Sequence, residues 1–226
     1  MLRTVLTALF AMVATSASAA VSDQAARACG VSAQTIAASH AAIPVLATFE
    51  RDAAFADRGA GPIRIIEFAD YSCPACRALY PIWVAYARDN PDVRISVVEY
   101  PIYGRTIVSR ATGNRTLNAS RIAIAAGAQG KQLAFHDALM RIPGRVDDSA
   151  IRLAAERAGV DLQAAQRRAN SATVVAQSER NLRLAQQLGF VGTPHVVVDG
   201  VLLSLQRGWT FDQVECLVGA ARRQRR

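Results

Sequence analysis

Two of the four cysteines in this 226-residue chain, Cys73 and Cys76, are separated only by Pro74 and Ala75. Where a Cys-x-x-Cys pair opens a helix, both sulfurs lie on one face of its first turn, near enough to form and break a small disulfide ring. A thiolate at Cys73 faces the free N–H groups of the helix start and the positive end of its dipole. That environment lowers its pKa and makes it the attacking sulfur, and Cys76, one turn deeper, resolves the mixed disulfide. The same pair can also serve as a static disulfide or as two ligands of a zinc or copper site, and both readings stay open. A metal site needs two further ligands, and neither a second Cys-x-x-Cys nor a zinc-type histidine spacing exists among His40, His136 and His195. Each of these reads as an ordinary core or surface histidine.

Glu67 precedes Cys73 in an otherwise apolar run and shares a face with Ile63 and Ile65. Burial there raises its pKa and lets it take the proton of Cys76 when that thiol attacks; the alternative is a carboxylate satisfied at a sheet end. Gly192-Thr193-Pro194 leads into another apolar run, where a proline is either an edge element or a cis peptide in a tight approach.

The elements that must hold these residues follow from pattern. Gly59-Ala60-Gly61-Pro62 is a turn cluster that releases a strand over Ile63 to Phe68. A helix follows, with Cys73 at its N-cap and Pro74 at its first position, running to about Arg88, and Val93 to Tyr100 is a second strand. The proportions are those of a right-handed βαβ crossover. From about Arg105 to Gly189 the period is helical, with segments at Ala119 to Gln129, Leu133 to Arg141, Ser149 to Ala158 (capped by Asp148) and Leu162 to Leu188, the last broken near Asn170. His195 to Val198 and Val201 to Leu205 form a hairpin about Asp199-Gly200, and a helix runs from about Thr210 to Ala221. Residues 20 to 47 are Ala-rich and read as one or two helices. The order describes a small mixed sheet, βαβ then ββα, with a helical domain inserted in its middle.

Composition sets the compartment. Apolar residues make up 51% and charged residues 19% of the chain, so disorder is excluded and a sizeable core can be buried. The first twenty residues carry Arg3, an apolar run from Val5 to Ala14, and the small residues Ser16-Ala17-Ser18-Ala19-Ala20. This is a secretory signal with cleavage after Ala19, the apolar run being about half of the ~20 residues that span a bilayer. An uncleaved anchor is the alternative; the mature protein is expected to be exported to the periplasm and not integral to the membrane. In an oxidising compartment an even cysteine count allows complete pairing, so Cys29 and Cys216 are candidates for a structural disulfide; free thiols or an intermolecular bridge are the other possibilities. The net charge of +8 is almost wholly arginine, since Lys131 is the single lysine. Basic residues cluster only at Arg222-Arg223-Gln224-Arg225-Arg226, without interleaved aromatics, which fits a solvated basic surface and no nucleic-acid partner.

Phe68-Ala69-Asp70-Tyr71-Ser72-Cys73-Pro74-Ala75-Cys76-Arg77 resembles the active-site segment of the DsbA-like thioredoxin-fold oxidoreductases, and Gly192-Thr193-Pro194 resembles their cis-proline loop. Pro81 matches the proline that kinks their active-site helix, and Gln129-Gly130-Lys131 with Phe135-His136-Asp137-Ala138-Leu139 resembles a segment of their inserted helical domain. The resemblance covers roughly residues 55 to 220. It implies an α/β, thioredoxin-like fold over 63–104 and 190–226, the latter ending in a basic tail, and an all-helical insertion over 105–189; the stretch 20–62 before it, which the resemblance does not reach with any named match, reads as an N-terminal helical/extended segment. It also implies Cys73 as nucleophile, Cys76 as resolving thiol, Glu67 as buried carboxylate, and Pro194 as the cis-proline beside the disulfide, with Thr193 preceding it. No cofactor or metal is implied. The expected partners are reduced or misfolded exported proteins and a membrane redox protein of DsbB or DsbD type. Ala75 departs from the strongly oxidising members, which carry His there, so disulfide donation stands beside isomerisation or reduction. A non-enzymatic copper-handling or chaperone-like module is the rival from another class.

Overall fold

The computed structural model describes residues 21–52, 56–102, 110–203 and 208–226. The expected leader, the cleavage point at Ala19 and the end of the last strand run, Ser204 and Leu205, lie outside the described residues. Two helices come first, Asp23–Ala28 (α1) and Ala33–Asp52 (α2), then Ala56–Arg58 (β1), Ile63–Ala69 (β2), Pro74–Asp89 (α3) and Val93–Glu99 (β3). A helical block follows: Arg110–Ala126 (α4), Gln132–Met140 (α5), Asp148–Ala158 (α6), Leu162–Ala169 (α7) and Ala172–Gln187 (α8). His195–Val198 (β4), Val201–Leu203 (β5) and Phe211–Gln224 (α9) complete the chain.

The sheet order is β1-β3-β2-β4-β5; β2 and β3 run parallel and the other neighbours antiparallel. The crossover and the hairpin are therefore where pattern places them, and residues 56–58, within the stretch expected to be helical or extended, form an edge strand on β3 that pattern alone did not single out. Three residues carry too little alternation to register as a strand. At Gly61 the chain passes so close to β3 that a Cβ would stand 1.9 Å from the Asp92 carbonyl carbon, which only glycine avoids. Asp199 and Gly200, with φ of 47° and 91°, supply the left-handed pair that the tight β4–β5 hairpin needs.

Alternation along the central strands gives the sheet two apolar faces. Ile63, Ile65, Val93, Ile95, Val196 and Val198 pack against Leu79 and Trp83 of α3 and Leu217 and Val218 of α9. Ile66, Phe68, Val98, Val197 and Leu202 face Ala42 and Leu46 of α2 and Leu182 and Ala185 of α8. The β5 edge is covered too, because the Leu202 N–H donates to the Ser39 hydroxyl of α2 at 2.9 Å. A third core joins Ile122, Phe135, Leu139 and Ile151 of the helical block to Tyr71, Cys73 and Cys76, so the cysteine pair sits at the seam between block and sheet.

Two helix boundaries differ from the sequence pattern. Asp147, not Asp148, caps α6: its backbone is extended and its carboxylate accepts the Ala150 N–H, while Asp148 is the first helical residue. Helix α4 begins at Arg110, well before Ala119, since a polar first half propagates from the buried Ala119, Ile122 and Ala123 without showing a stripe of its own. The long run from Leu162 breaks where expected, with the Ser171 hydroxyl accepting the Val174 N–H to start α8. The basic C-terminus is a helix, not a loose tail. Arg222 clasps Asp92 and Asn90 at 2.6–2.7 Å, and Arg225 clasps Asp199 at 2.7–2.9 Å. A disulfide joins Cys29, at the end of α1, to Cys216 of α9, with Cα atoms 5.6 Å apart.

Candidate active site

The turn between β2 and α3 is built by Asp70. Its carboxylate accepts the Ser72 N–H at 2.8 Å and its carbonyl accepts the Cys73 N–H at 3.0 Å. Cys73 thereby takes the extended backbone of an N-cap, with φ −81° and ψ 117°, and its sulfur accepts the Cys76 N–H at 3.4 Å. Pro74 follows at the first helical position, where the missing N–H leaves nothing unsatisfied. Across the site, the Cys73 thiol donates to the Thr193 carbonyl at 3.3 Å, and the Thr193–Pro194 peptide is cis. The two segments, 120 residues apart, thus meet at one sulfur. Both cysteines are free thiols.

The two thiols are electrically unlike. The Cys73 thiol is pulled from 9.0 to about 5, first by the hydrogen bond from the Cys76 side chain, then by the Thr193 side chain and the N–H groups of Cys76 and Ala75, against the opposing pull of burial. Burial pushes the Cys76 thiol well above its ordinary value, and its bond to Cys73 and the Glu67 charge add to this. At neutral pH the pair holds a thiolate at 73 and a thiol at 76.

Glu67 is 2% exposed, and its Oε1 has no hydrogen-bond partner among the described residues. Burial raises its pKa to about 7; His136 and the Trp83 indole pull it back, while Cys73 and Glu99 push it up. A carboxyl so poised can hold or release a proton near neutrality. The site is stitched to the helical block by Arg77, which donates to the carbonyls of Tyr71 (2.7 Å) and Ile142, and by a 2.6 Å hydrogen bond between the hydroxyls of Ser72 and Thr116.

Sequence reasoning placed Cys73, Cys76, Glu67, Thr193 and Pro194 as candidates, and the structure gathers all five in one place. It missed a buried trio behind them, Tyr71, Glu99 and His136, which sequence separations of 28 and 65 residues hide from any local pattern. His195, next to Pro194, is fully buried and stacked on Phe190 at 4.0 Å, with neither ring nitrogen partnered among the described residues; burial lowers its pKa to about 4. Among the described residues no cluster of His, Cys, Asp or Glu is arranged to hold a metal ion, and no helix is long and apolar enough to cross a membrane.

The family model for the DSBA-like thioredoxin domain matches residues 64–222. No curated protein matches the chain. Among solved structures, a thioredoxin-like oxidoreductase from Silicibacter pomeroyi is 33% identical over 73% of this chain and 87% of its own, with a TM-score of 0.60. A periplasmic thioredoxin-like protein from Salmonella enterica serovar Typhimurium is 23% identical over 78% of this chain and 95% of its own, at a TM-score of 0.63. The thiol-disulfide exchange protein alpha-DsbA2 from Wolbachia pipientis is 19% identical over 76% and 90%, also at 0.63. These last two likenesses speak to the fold.

Proposed function

Since the chain belongs to the family of DSBA-like thioredoxin domains and is a thiol-disulfide oxidoreductase, we propose that it is an exported disulfide donor working through Cys73 and Cys76. A client thiolate attacks Cys73 Sγ in the oxidised pair, the Cys73–Cys76 bond breaks, and Cys76 leaves as a thiolate that takes a proton from Glu67. A second client thiolate then attacks the client sulfur of the mixed disulfide and expels the Cys73 thiolate. Two electrons have passed from the client dithiol to the cysteine pair, and the client carries the disulfide.

The observation that carries this direction is the depressed Cys73 thiol. A stabilised thiolate is a good leaving group and favours the reduced form of the pair, which makes the oxidised form a strong oxidant. Glu67, Thr193 and Pro194 support it by holding the proton, the Cys73 sulfur and the loop opposite it. The leader-like first twenty residues support export, in keeping with the word periplasmic in the name of the Salmonella neighbour. Clients would be reduced exported proteins, and a membrane oxidant of DsbB type would regenerate the disulfide.

Ala75 favours a second reading, isomerase or reductase kept reduced by a DsbD-type donor, because a side chain without polarity adds nothing to the thiolate. Equilibration of the Cys73–Cys76 pair against glutathione decides. A donor is reduced by the glutathione pool at potentials well above it, whereas a potential below that of glutathione would establish the reductase.

A further inference from the structure

Behind the cysteine pair, three buried polar side chains from three separate elements touch one another. The Tyr71 hydroxyl donates to Glu99 Oε1 at 2.7 Å, and His136 Nδ1 lies 3.2 Å from that hydroxyl and 3.5 Å from that carboxylate oxygen. With its proton given to Glu99, the hydroxyl is left to accept, so Nδ1 of His136 carries the hydrogen. All three residues are 2% exposed or less. Tyr71 belongs to the turn before Cys73, Glu99 ends β3, and His136 is carried by α5 of the helical block. The trio is fixed from outside: Asn181 of α8 donates to the Glu99 carbonyl at 3.1 Å, and Arg77 donates to that of Tyr71.

The trio and Glu67 are close enough to sense each other's charge. An imidazolium at 136 favours ionised Glu67, and the Glu99 carboxylate opposes it. The other groups around this centre are Cys73 and Cys76 on Glu67, Asp70 and Asp137 on Tyr71, and Tyr80, whose ring lies 6.1 Å from that of His136. Asp137 and Tyr80 are themselves engaged by Arg58 and Arg141. His136 is therefore the basic side chain that Tyr71 and Glu99 hold in place within reach of the Glu67 carboxyl.

We propose that His136 is a positioning residue for the step in which Cys76 acts: through the hold of Glu99 and Tyr71 on its ring, the helical block sets how readily Glu67 is free to take the Cys76 proton. The step balances simply. Cys76 Sγ attacks Cys73 Sγ of the Cys73–client disulfide and loses its proton to ionised Glu67; the Cys73–Cys76 bond forms and the client sulfur leaves as a thiolate that is protonated from solvent. Run backwards, the same atoms protonate Cys76 as it leaves during donation. The proposal rests on the acid–base role given to Glu67 above.

The test separates the two ideas. Reduced protein is mixed in stopped flow with a peptide carrying an activated disulfide, whose chromophoric leaving group reports attack by Cys73 and whose peptide thiol reports resolution by Cys76. In the wild type, the resolution rate should rise with pH through a midpoint near 7, where Glu67 ionises. Without the imidazole, Glu67 holds its proton to higher pH. His136→Gln and, as a second amide variant, His136→Asn should move the midpoint upward by about half a unit, an approximately threefold loss of rate on the acid limb, with the attack phase unchanged. If Glu67→Gln keeps the acid limb, the role of Glu67 itself is wrong. If Glu67→Gln abolishes the limb while folded His136→Gln or His136→Asn leaves it unmoved in the otherwise wild-type protein, the inference about His136 is overturned.

Discussion

Cys29–Cys216 and Cys73/Cys76 are the same chemistry set in two surroundings. The first pair is 187 residues apart in sequence, bonded, and packed among the apolar side chains that α1 and α9 lay on the sheet. The second is three residues apart, holds two free thiols, and sits at the seam between the sheet and the helical block. Around Cys73 are helix-start N–H groups and the Thr193 carbonyl; behind Cys76 is the poorly satisfied Glu67. Redox work is thus assigned by unequal surroundings of the two sulfurs and a proton carrier near one of them, whereas a cross-link needs only proximity.

The largest effect should come from removing that inequality. Cys73→Ala should abolish exchange, and Cys76→Ala should accumulate mixed disulfides with clients that already carry a disulfide, its Cys73 thiolate attacking the client disulfide and one client sulfur leaving as a thiolate, visible on non-reducing gels. Equal trapping by the two variants would erase the distinction between attacking and resolving sulfur. The paired substitution Cys29→Ala with Cys216→Ala should do the opposite: unfolding free energy falls by up to roughly 5 kcal/mol for so long a loop, and exchange per folded molecule stays at the wild-type level. Denaturant melts run beside a peptide-oxidation assay check both halves, and a loss of exchange without a loss of stability would make the second pair catalytic.

A smaller effect is expected in acid at the loop beside the active pair. His195 has a folded pKa of about 4 against 6.5 when free, so between those values the unfolded chain binds the extra proton. The His195 contribution should be level above pH 6.5 and should lower stability as pH drops from 6.5 to 4, by about 3 kcal/mol at most. His195→Phe should flatten that part of the profile in thermal melts across pH, and an unchanged slope would clear His195 of the role. Smallest of all, Ala75→His should lower the Cys73 pKa and raise the potential, but by less than about 30 mV. Residue 75 is exposed, and the thiolate is already held by the side chains of Cys76 and Thr193 and by backbone N–H groups. A larger shift would show that the intervening residues, not the helix start, govern the pair.

What could be read from the sequence is what local geometry enforces. The change of period from two to 3.6 at Cys73, with Pro74 just inside the helix, marks the strand-to-helix turn, and Asp199-Gly200 marks the hairpin. Glu67 falls on the inner face because alternation with Ile63 and Ile65 leaves it no other side. What was hidden depends on distant segments meeting. The three-residue β1 acquires its identity only by pairing with β3, and the Thr193 carbonyl reaches Cys73 across 120 residues. Arg222 and Arg225 read as part of a basic run but are committed to Asp92 and Asp199. His136 looked like any core histidine until the fold set it against Glu99 and Tyr71.

The central claim is that Cys73 is a thiolate at neutral pH while Cys76 is not. Titrating the reduced protein by its thiolate absorbance, with Cys73→Ala and Cys76→Ala run alongside to assign the signal, tests it directly. The wild type should show one thiolate appearing with a midpoint near 5 that is absent from Cys73→Ala, and no second one until strongly alkaline pH. Two thiols titrating together near 9 would contradict it.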